Sequence, residues 1–328
     1  MKFSRVVAGA CLMIPLSLPA HADLAGGSMD VHWNEGAQNC HATPPPPLQV
    51  HRYNDQTFII RESLCVTEEA PFMYLLIGAK RALLIDTGDV ADPTMMPLAQ
   101  TVVGLLPGTG TAKLPLLVVH THGHYDHRRG DGQFQGLPNV QVVGTGLEQV
   151  QQYFGFRDWP NGTAVVDLGG RQVDVLPTPG HYVSELSYYD RSTGLFFSGD
   201  FFLPGRLLIV DKAADLASAR RMADFARFHP VAYVLGGHIE LDAAGHGFGL
   251  LGSDYHPNEH ALQMSRDALL ALPEIVGQFN GFYTRFGMFV MLNQNLILAA
   301  IALALALLLV AALWGIRQLI IHRRQNSM

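Results

Sequence analysis

The chain has 328 residues and a formal net charge of -6 at pH 7, with 48% hydrophobic and 15% charged residues. This length accommodates one large domain or two modest ones, and the hydrophobic content supplies a sizeable core while leaning towards a membrane-associated protein. The negative charge provides no basic field that would attract nucleic acid, so we expect no nucleic-acid partner.

The N-terminus has the three parts of an export leader. Lys2 and Arg5 form a short basic start, residues 6–20 are mostly apolar, and residues 20–22 spell Ala-His-Ala, a small-x-small cleavage site. We therefore predict that residues 1–22 are a secretory signal peptide.

Residues 23–47 form a polar, irregular lead that ends in four consecutive prolines, which favour a stiff, extended spacer. The chain without its leader keeps two cysteines, Cys40 and Cys65, and neither has the spacing of a zinc site or a redox pair. An exported protein meets an oxidising compartment, where two thiols can pair. The alternatives are a disulfide or two separate buried thiols, and sequence alone does not decide between them.

Strand and helix patterns alternate from residue 48 to 275, which predicts one folded domain. Short apolar runs bounded by turn residues predict strands at 57–65, 72–77, 82–85, 114–119, 140–143, 164–166, 173–176, 186–189, 194–198 and 232–235. A 3.6-residue period predicts helices at 93–106, 147–153, 213–228 and 259–270. Two strand-rich blocks with flanking helices indicate an α/β protein built as a sandwich of two sheets.

The most informative segment follows the strand predicted at 114–119. Residues 121–127 are Thr-His-Gly-His-Tyr-Asp-His, so three imidazoles and a carboxylate lie within six positions: His122, His124, Asp126 and His127. These side chains suit zinc, iron or manganese, and their close spacing lets several face one ion. A solvated, histidine-rich loop is the alternative, but its position at a strand end favours a metal site.

Four further motifs complete a known pattern in the expected order. Asp86 lies in Asp-Thr-Gly, His181 ends Thr-Pro-Gly-His, Asp200 ends Phe-Ser-Gly-Asp and His238 ends Leu-Gly-Gly-His. Together the five motifs, spread over about residues 50–270, resemble the metallo-β-lactamase superfamily and its glyoxalase II-like and lactonase-like metal motifs. The resemblance implies an αββα sandwich, the metallo-β-lactamase fold.

The same resemblance implies a site of two divalent metal ions, with zinc as the first choice and iron or manganese as alternatives. One ion would be held by His122, His124 and His181, the second by Asp126, His127 and His238, with Asp200 bridging them. Asp126 is also the expected catalytic residue, because a ligating carboxylate can orient a nucleophile or deliver a proton. Taken alone, the downstream histidines and Asp200 could equally be turn residues, and Asp86 is expected to support the ligands from below.

The implied activity is a metal-dependent hydrolase of small molecules, in which a metal-bridging hydroxide attacks an ester, thioester, lactone or related acyl bond. A true β-lactamase is an alternative, although its members lack the bridging Asp200. A flavodiiron-like oxidoreductase would replace His124 by a carboxylate. A non-catalytic, membrane-anchored metal-binding protein would be expected to have lost ligands. The natural substrate and the oligomeric state are not indicated.

Two local departures from the hydrolytic pattern surround the ligands. Tyr182 follows His181 where many hydrolytic members have Thr. Arg128 and Arg129 follow the central motif, where small residues are usual. The arginines are either a solvated loop or a fork for a substrate carboxylate or phosphate.

Residues 296–316 contain no charged side chain. At ~1.5 Å per residue this segment would form a helix about 32 Å long, enough to cross a hydrocarbon core. A buried core helix is the alternative, but Arg317, Arg323 and Arg324 follow at once. The positive-inside rule then predicts a single-pass protein of a bacterial inner membrane.

In that orientation the catalytic domain faces the periplasm or exterior. Residues 276–295 are then a juxtamembrane segment, residues 296–316 the transmembrane helix, and residues 317–328 a basic cytoplasmic tail. We expect the catalytic domain to be separable from the membrane helix at about residue 290.

Overall fold

A computed structural model describes residues 24–247 and 253–326 of the chain. The predicted signal peptide lies outside these residues. Strands β1 to β15 are, in chain order, Leu48–Asn54, Thr57–Glu62, Phe72–Ile77, Ala82–Ile85, Leu116–Val119, Val140–Val142, Ala164–Asp167, Gln172–Pro177, Leu186–Asp190, Leu195–Gly199, Arg206–Leu208, Tyr233–Gly236, Gln263–Met264, Tyr283–Phe286 and Phe289–Leu292. Helices α1 to α6 are Leu98–Leu105, Tyr125–Arg128, Leu147–Phe154, Lys212–Phe228, Arg266–Gly277 and Gln294–Gln325.

The strands form two six-stranded sheets and one three-stranded sheet within the described residues. The first has the order β1-β2-β3-β4-β5-β6, the second β13-β12-β10-β9-β8-β7, and the third β11-β15-β14. Strands β2 to β5 are buried along their whole length, because the first sheet is covered on both faces. This explains their continuous apolar sequence.

Three apolar layers separate the elements of the sandwich. Ile59 and Leu83 of the first sheet pack with Val175 and Phe197 of the second in the layer between the sheets. A second layer joins the outer face of the first sheet to α1. A third joins the outer face of the second sheet to α4 and α5. The order of layers is therefore helix, sheet, sheet, helix, and the predicted αββα sandwich is confirmed.

The predicted elements agree with the structure to within two residues at each end, except for three of them. The helix predicted at 93–106 begins only at Leu98, since Pro97 occupies its N-cap and supplies no side-chain cap. The helix predicted at 259–270 is wrong in its bounds: β13 occupies Gln263–Met264, and α5 starts after Ser265, whose hydroxyl accepts the Ala268 N–H. The strand predicted at 57–65 ends at Glu62.

The irregular lead before β1 is packed on the first sheet. Trp33 is buried, with its ring 4.9 Å from that of Phe72. Cys40 and Cys65 form a disulfide, with their Cα atoms 5.3 Å apart. The disulfide ties the lead to the turn that follows β2, which decides between the two alternatives left open by the sequence.

The segment predicted as juxtamembrane contains a hairpin that belongs to the domain. Strands β14 and β15 pair antiparallel, and β15 pairs in parallel with β11. Phe289 and Met291 of β15 are buried in the layer beneath the second sheet. A cut at residue 290 would therefore remove half of β15, and the boundary of the separable domain moves to about residue 293.

Helix α6 leaves the domain directly after this hairpin. Its stretch Gln294–His322 has a mean hydropathy of 3.1 in its most apolar window, and none of that window is buried against the rest of the chain. By length and composition this helix could span a membrane. It contains the whole segment predicted at 296–316.

Candidate metal centre

Five loops at the carboxyl ends of strands converge between the two large sheets. Strands β4 and β5 run parallel in the first sheet. In the second sheet β10 is parallel to β12 and antiparallel to β9, which is itself antiparallel to β8. The carboxyl ends of β8, β10 and β12 therefore share one edge. Strands β4, β5, β8, β10 and β12 are followed, in this order, by Asp86, the 121–127 motif, His181, Asp200 and His238.

The first group consists of three histidines from two loops. The His124 Nδ1 atom lies 2.9 Å from His122 Nε2 and 3.0 Å from His181 Nε2. The two Nε2 atoms are 3.3 Å apart. Three ring nitrogens thus face a common point, in an arrangement that can hold one metal ion.

The second group consists of Asp126, His127, Asp200 and His238. The Asp126 Oδ2 atom lies 3.1 Å from His127 Nε2 and 3.2 Å from His238 Nε2. The two Nε2 atoms are 3.3 Å apart. This group offers two imidazoles and two carboxylates to a second ion.

Asp200 lies between the two groups. Its Oδ1 atom is 3.4 Å from His127 Nε2 and 3.5 Å from His238 Nε2, whereas its Oδ2 atom is 3.8 Å from His181 Nε2. Each carboxylate oxygen therefore faces a different group. The structure thus brings together all seven side chains that were named as candidate ligands.

The outer ring nitrogens of two histidines, one from each group, are held by backbone carbonyls. His181 Nδ1 donates to the Leu208 carbonyl at 2.8 Å, and His238 Nδ1 donates to the Glu69 carbonyl at 2.7 Å. A carbonyl can only accept, so in both rings Nδ1 carries a proton and Nε2 is the nitrogen directed at the centre. Such contacts to the outer nitrogen fix the ring orientation of a metal-binding histidine.

Asp86 lies beneath the centre, as the sequence predicted. Its Oδ1 atom accepts the Thr121 N–H at 2.7 Å, and its Oδ2 atom accepts the Thr121 hydroxyl at 2.8 Å. His127 Nδ1 donates to the same Oδ2 atom at 3.0 Å. The Thr121 hydroxyl also lies 3.2 Å from His122 Nδ1. One buried carboxylate therefore supports a histidine of each group, one directly and one through Thr121.

Two observations fit the groups to metal ions. Asp200 Oδ1 is buried and makes no hydrogen bond within the described part of the chain; a buried carboxylate oxygen needs a positive partner. A Cβ on Gly237 would lie 2.5 Å from that oxygen and 2.8 Å from His127 Cε1, so glycine leaves room for the centre. The donor set of imidazoles and carboxylates is suitable for a dinuclear metal centre.

The protonation of the two groups differs. Burial lowers the pKa of His122 well below its usual value, and the neighbouring His127 and His181 lower it further. Burial alone would raise the pKa of Asp200, but His238 and His127 outweigh it and hold the carboxyl ionised. Burial would lower the pKa of His238, yet Asp200 and Asp126 raise it to about 10. The first group is thus neutral without a metal, whereas the second pairs protonated imidazole with carboxylate.

The rim of the site contains the residues that departed from the hydrolytic pattern. The Tyr182 ring lies 4.8 Å from the His124 ring. Arg128 Nε donates to the Gly123 carbonyl at 2.8 Å, and its guanidinium lies over the exposed Tyr125 ring. Arg129 pairs with Asp89 at 3.1 Å. Both arginines thus have partners within the protein, and the Arg129 side chain is half exposed.

Sequence reasoning missed Glu62 at the end of β2. Its Oε1 atom accepts the Asp89 N–H at 3.0 Å, and burial raises the pKa of its carboxyl to about 8. A Cβ on Gly88, which has a φ of 76°, would lie 1.8 Å from that oxygen. The glycine of the Asp-Thr-Gly motif is thus required by Glu62. In the sequence, Glu62 stands out only as a charged residue directly after Arg61 within the strand predicted at 57–65.

Comparisons with known proteins point to one protein superfamily. The family model described as the metallo-beta-lactamase superfamily matches residues 66–238, just over half of the chain. The acyl-coenzyme A thioesterase MBLAC2 of Gallus gallus is 26% identical over 221 residues, which are 57% of this chain and 79% of that protein. A hydroxyacylglutathione hydrolase of Dechloromonas aromatica (strain RCB) is 29% identical over 129 residues, 39% of this chain and 43% of that protein.

The chain thus spans less than half of the length of that second relative. Among solved structures, a metallo-beta-lactamase from Erythrobacter litoralis aligns with a TM-score of 0.49 and 16% identity, over 72% of this chain and 99% of that chain. Both curated relatives are hydrolases by name.

Proposed function

Since the chain belongs to the metallo-beta-lactamase superfamily, we propose that it is a membrane-tethered, dinuclear zinc hydrolase that cleaves an acyl bond, with thioesters as the favoured substrate class. Both named relatives are hydrolases, which confirms the type of enzyme expected from the sequence. The reaction, the zinc and the tether are the proposal.

The observation that carries the proposal is the position of Asp200. One of its oxygens faces His181 and the other faces His127 and His238. This is what a carboxylate bridging two ions requires. In our assignment His122, His124 and His181 hold one ion, and Asp126, His127 and His238 hold the other. Two such ions, when bound, supply Lewis-acid polarisation of an acyl carbonyl and a water of lowered pKa.

The protein's own groups determine how that chemistry proceeds. Burial would raise the pKa of Asp126, but His127 and His238 hold it well below its usual range, so the carboxylate is ionised at neutral pH. The side chain is also one-fifth exposed. The ionised Asp126 can therefore accept a hydrogen bond from a water that enters the site and orient it towards the acyl carbonyl, but a carboxyl with so low a pKa is a weak base. The leaving group of a thioester is a thiolate, which is a weaker base than an alkoxide and can leave without being protonated first.

The substrate class rests on the two named relatives, both of which act on thioesters. The tether rests on α6, which could span a membrane, and on Arg317 after its apolar segment. We place the protein in a bacterial inner membrane with the centre facing the periplasm. Its natural substrate would then be an acyl compound found outside the cytoplasm, and a cytosolic thioester would serve as a probe.

The test is turnover by the purified full chain in detergent after loading with Zn²⁺. The panel contains an acyl-coenzyme A, a hydroxyacylglutathione, an aryl ester, a lactone, a phosphodiester and a chromogenic β-lactam. We expect thioester cleavage that a chelator abolishes and Zn²⁺ restores. Turnover of the β-lactam alone would make the protein a β-lactamase. Metal binding without any turnover would make it a binding protein.

A further inference from the structure

Strand β11 lies between strand β15 and the loop that carries His181, and each of them bonds to different backbone groups of β11. In a parallel pair, alternate residues of a strand direct both their N–H and C=O groups to the partner. The Ile209 N–H donates to the Leu292 carbonyl of β15 at 2.9 Å. Leu208, one residue earlier, therefore presents its carbonyl away from β15. That carbonyl accepts the Nδ1–H of His181.

The segment after β11 makes hydrogen bonds both to the His181 loop and to Asn293. The Val210 and Asp211 N–H groups donate to the Gly180 carbonyl at 3.1 and 2.9 Å, directly before His181. The Val210 carbonyl accepts the side-chain amide of Asn293 at 3.1 Å. Residues 208–211 thus lie between the His181 loop and the chain that enters α6.

Asn293 is the residue at which the apolar helix and the domain meet. Its side-chain oxygen caps α6 by accepting the Leu296 N–H at 3.1 Å, while its side-chain nitrogen donates to Val210. Its backbone N–H donates to the Phe282 carbonyl at 3.0 Å, which closes the β14–β15 hairpin. One side chain therefore joins the start of α6 to the strand that orients a predicted metal ligand.

We propose that Asn293 is a positioning residue for His181, so that the segment leading into the membrane helix sets the affinity of the first metal group. This inference rests on the proposed metal assignment. The Leu208 carbonyl fixes the His181 ring only while residues 208–211 keep their place. If the Asn293–Val210 hydrogen bond is lost, Val210 keeps the hydrogen bond from its N–H to the Gly180 carbonyl but loses its link to the start of α6.

The two functions of Asn293 can be separated by substitution. Asn293→Ser keeps a side-chain oxygen at the N-cap, but it lacks the reach and the amide to bind Val210. Asn293→Ala loses both contacts. Gln294→Ala, at the exposed next position, is the matched control. His181→Ala removes one candidate ligand of the first group and shows what the loss of metal binding at that group looks like.

The experiment is titration of the metal-free full chain in detergent with Co²⁺, followed by the absorbance of its d–d bands. The wild type should bind two ions. Asn293→Ser and Asn293→Ala should both weaken one binding step, by about threefold to tenfold for one lost hydrogen bond, and shift its band, while the other step changes less than twofold. Gln294→Ala should match the wild type.

Two results would overturn the inference. Wild-type affinity and bands in Asn293→Ser, with one step lost in His181→Ala, would show that the bond to Val210 does not act on His181 and would leave the proposed function intact. A wild-type chain that binds no Co²⁺ would overturn the metal assignment, and the inference with it.

Discussion

His127 and Asp86 form the buried pair on which the second group of ligands rests, with the His127 Nδ1–H donating to the Asp86 Oδ2 atom across 3.0 Å. The side chains are fully buried or nearly so. Because a carboxylate accepts and never donates when ionised, the pair leaves His127 Nε2 directed at Asp126 and Asp200. The sequence separates the two partners by 41 positions.

Asp86→Asn should weaken metal binding at the second group by roughly 10-fold to 100-fold. An asparagine can still accept the Thr121 N–H, but its amide nitrogen then faces the Thr121 hydroxyl and the His127 Nδ1–H, which are both donors. Zinc competition titration measures the affinity. Asp89→Asn is the matched control, since Asp89 lies in the same loop and pairs with Arg129. Equal affinities for both variants would count against a supporting role of Asp86.

Asp200→Asn should keep the fold and lower the turnover by orders of magnitude. The change is nearly isosteric, but it removes the negative charge that faces both groups. Circular dichroism checks the fold, and metal analysis checks the stoichiometry. An unchanged rate at neutral pH would show that Asp200 is only a turn residue.

Glu62→Gln should flatten the pH dependence of stability in the metal-free protein. Glu62 keeps its proton in the fold up to about pH 8, whereas in the unfolded chain it ionises near 4.5. Between these values the folded state binds more protons, so the free energy of unfolding falls as the pH rises, by at most roughly 1.4 kcal/mol per pH unit. The amide stays neutral and still accepts the Asp89 N–H.

The measurement is urea denaturation between pH 5 and 8. Glu62→Gln should equal the wild type at the acid end and exceed it at the alkaline end. The exposed Glu148→Gln is the control. Parallel curves for wild type and Glu62→Gln across this window would contradict a raised pKa at this position.

A chain ending at Asn293 should be soluble and bind metal, whereas one ending at Val290 should not bind it with the same affinity. The longer chain keeps all of β15, and the shorter one loses Met291 and Leu292, the latter of which accepts the Ile209 N–H. Sedimentation and metal titration compare the two. Equal affinities would show that the hairpin is dispensable for the centre.

Reporter fusions test the topology. Alkaline phosphatase, which is active only outside the cytoplasm, should be active when fused after Asn293 and inactive after Met328. The expected result follows from an exported domain and from α6, which could cross the membrane once. Phosphatase activity at Met328 would overturn the orientation.

The candidate ligands could be named from the sequence because their motifs resemble those of a known superfamily, and each motif follows a strand. Their supports were harder to predict. The Leu208 and Glu69 carbonyls that hold His181 and His238 are backbone atoms, which any residue type supplies. Glu62 follows Arg61 at the end of β2, and its role became visible through its contact with Gly88.

The hairpin before α6 shows a different limit. Its aromatic, almost uncharged sequence fits a segment near a membrane and a segment packed on a domain equally well. The pairing of β15 with β11 joins residues about 80 positions apart, and no local pattern specifies such a partner. The start of α5 could not be placed either, because the helical period extends into the residues before Ser265.

The most direct test of a dinuclear centre is metal analysis by mass spectrometry of the full chain and of His122→Ala, both loaded with Zn²⁺ and freed of excess metal. His122 lies in the first group and contacts both of its other members. We expect about two zinc ions per wild-type chain, as a site with two separate donor groups requires. The variant should lose metal and thioester hydrolysis together. Two ions retained in His122→Ala would contradict the assignment.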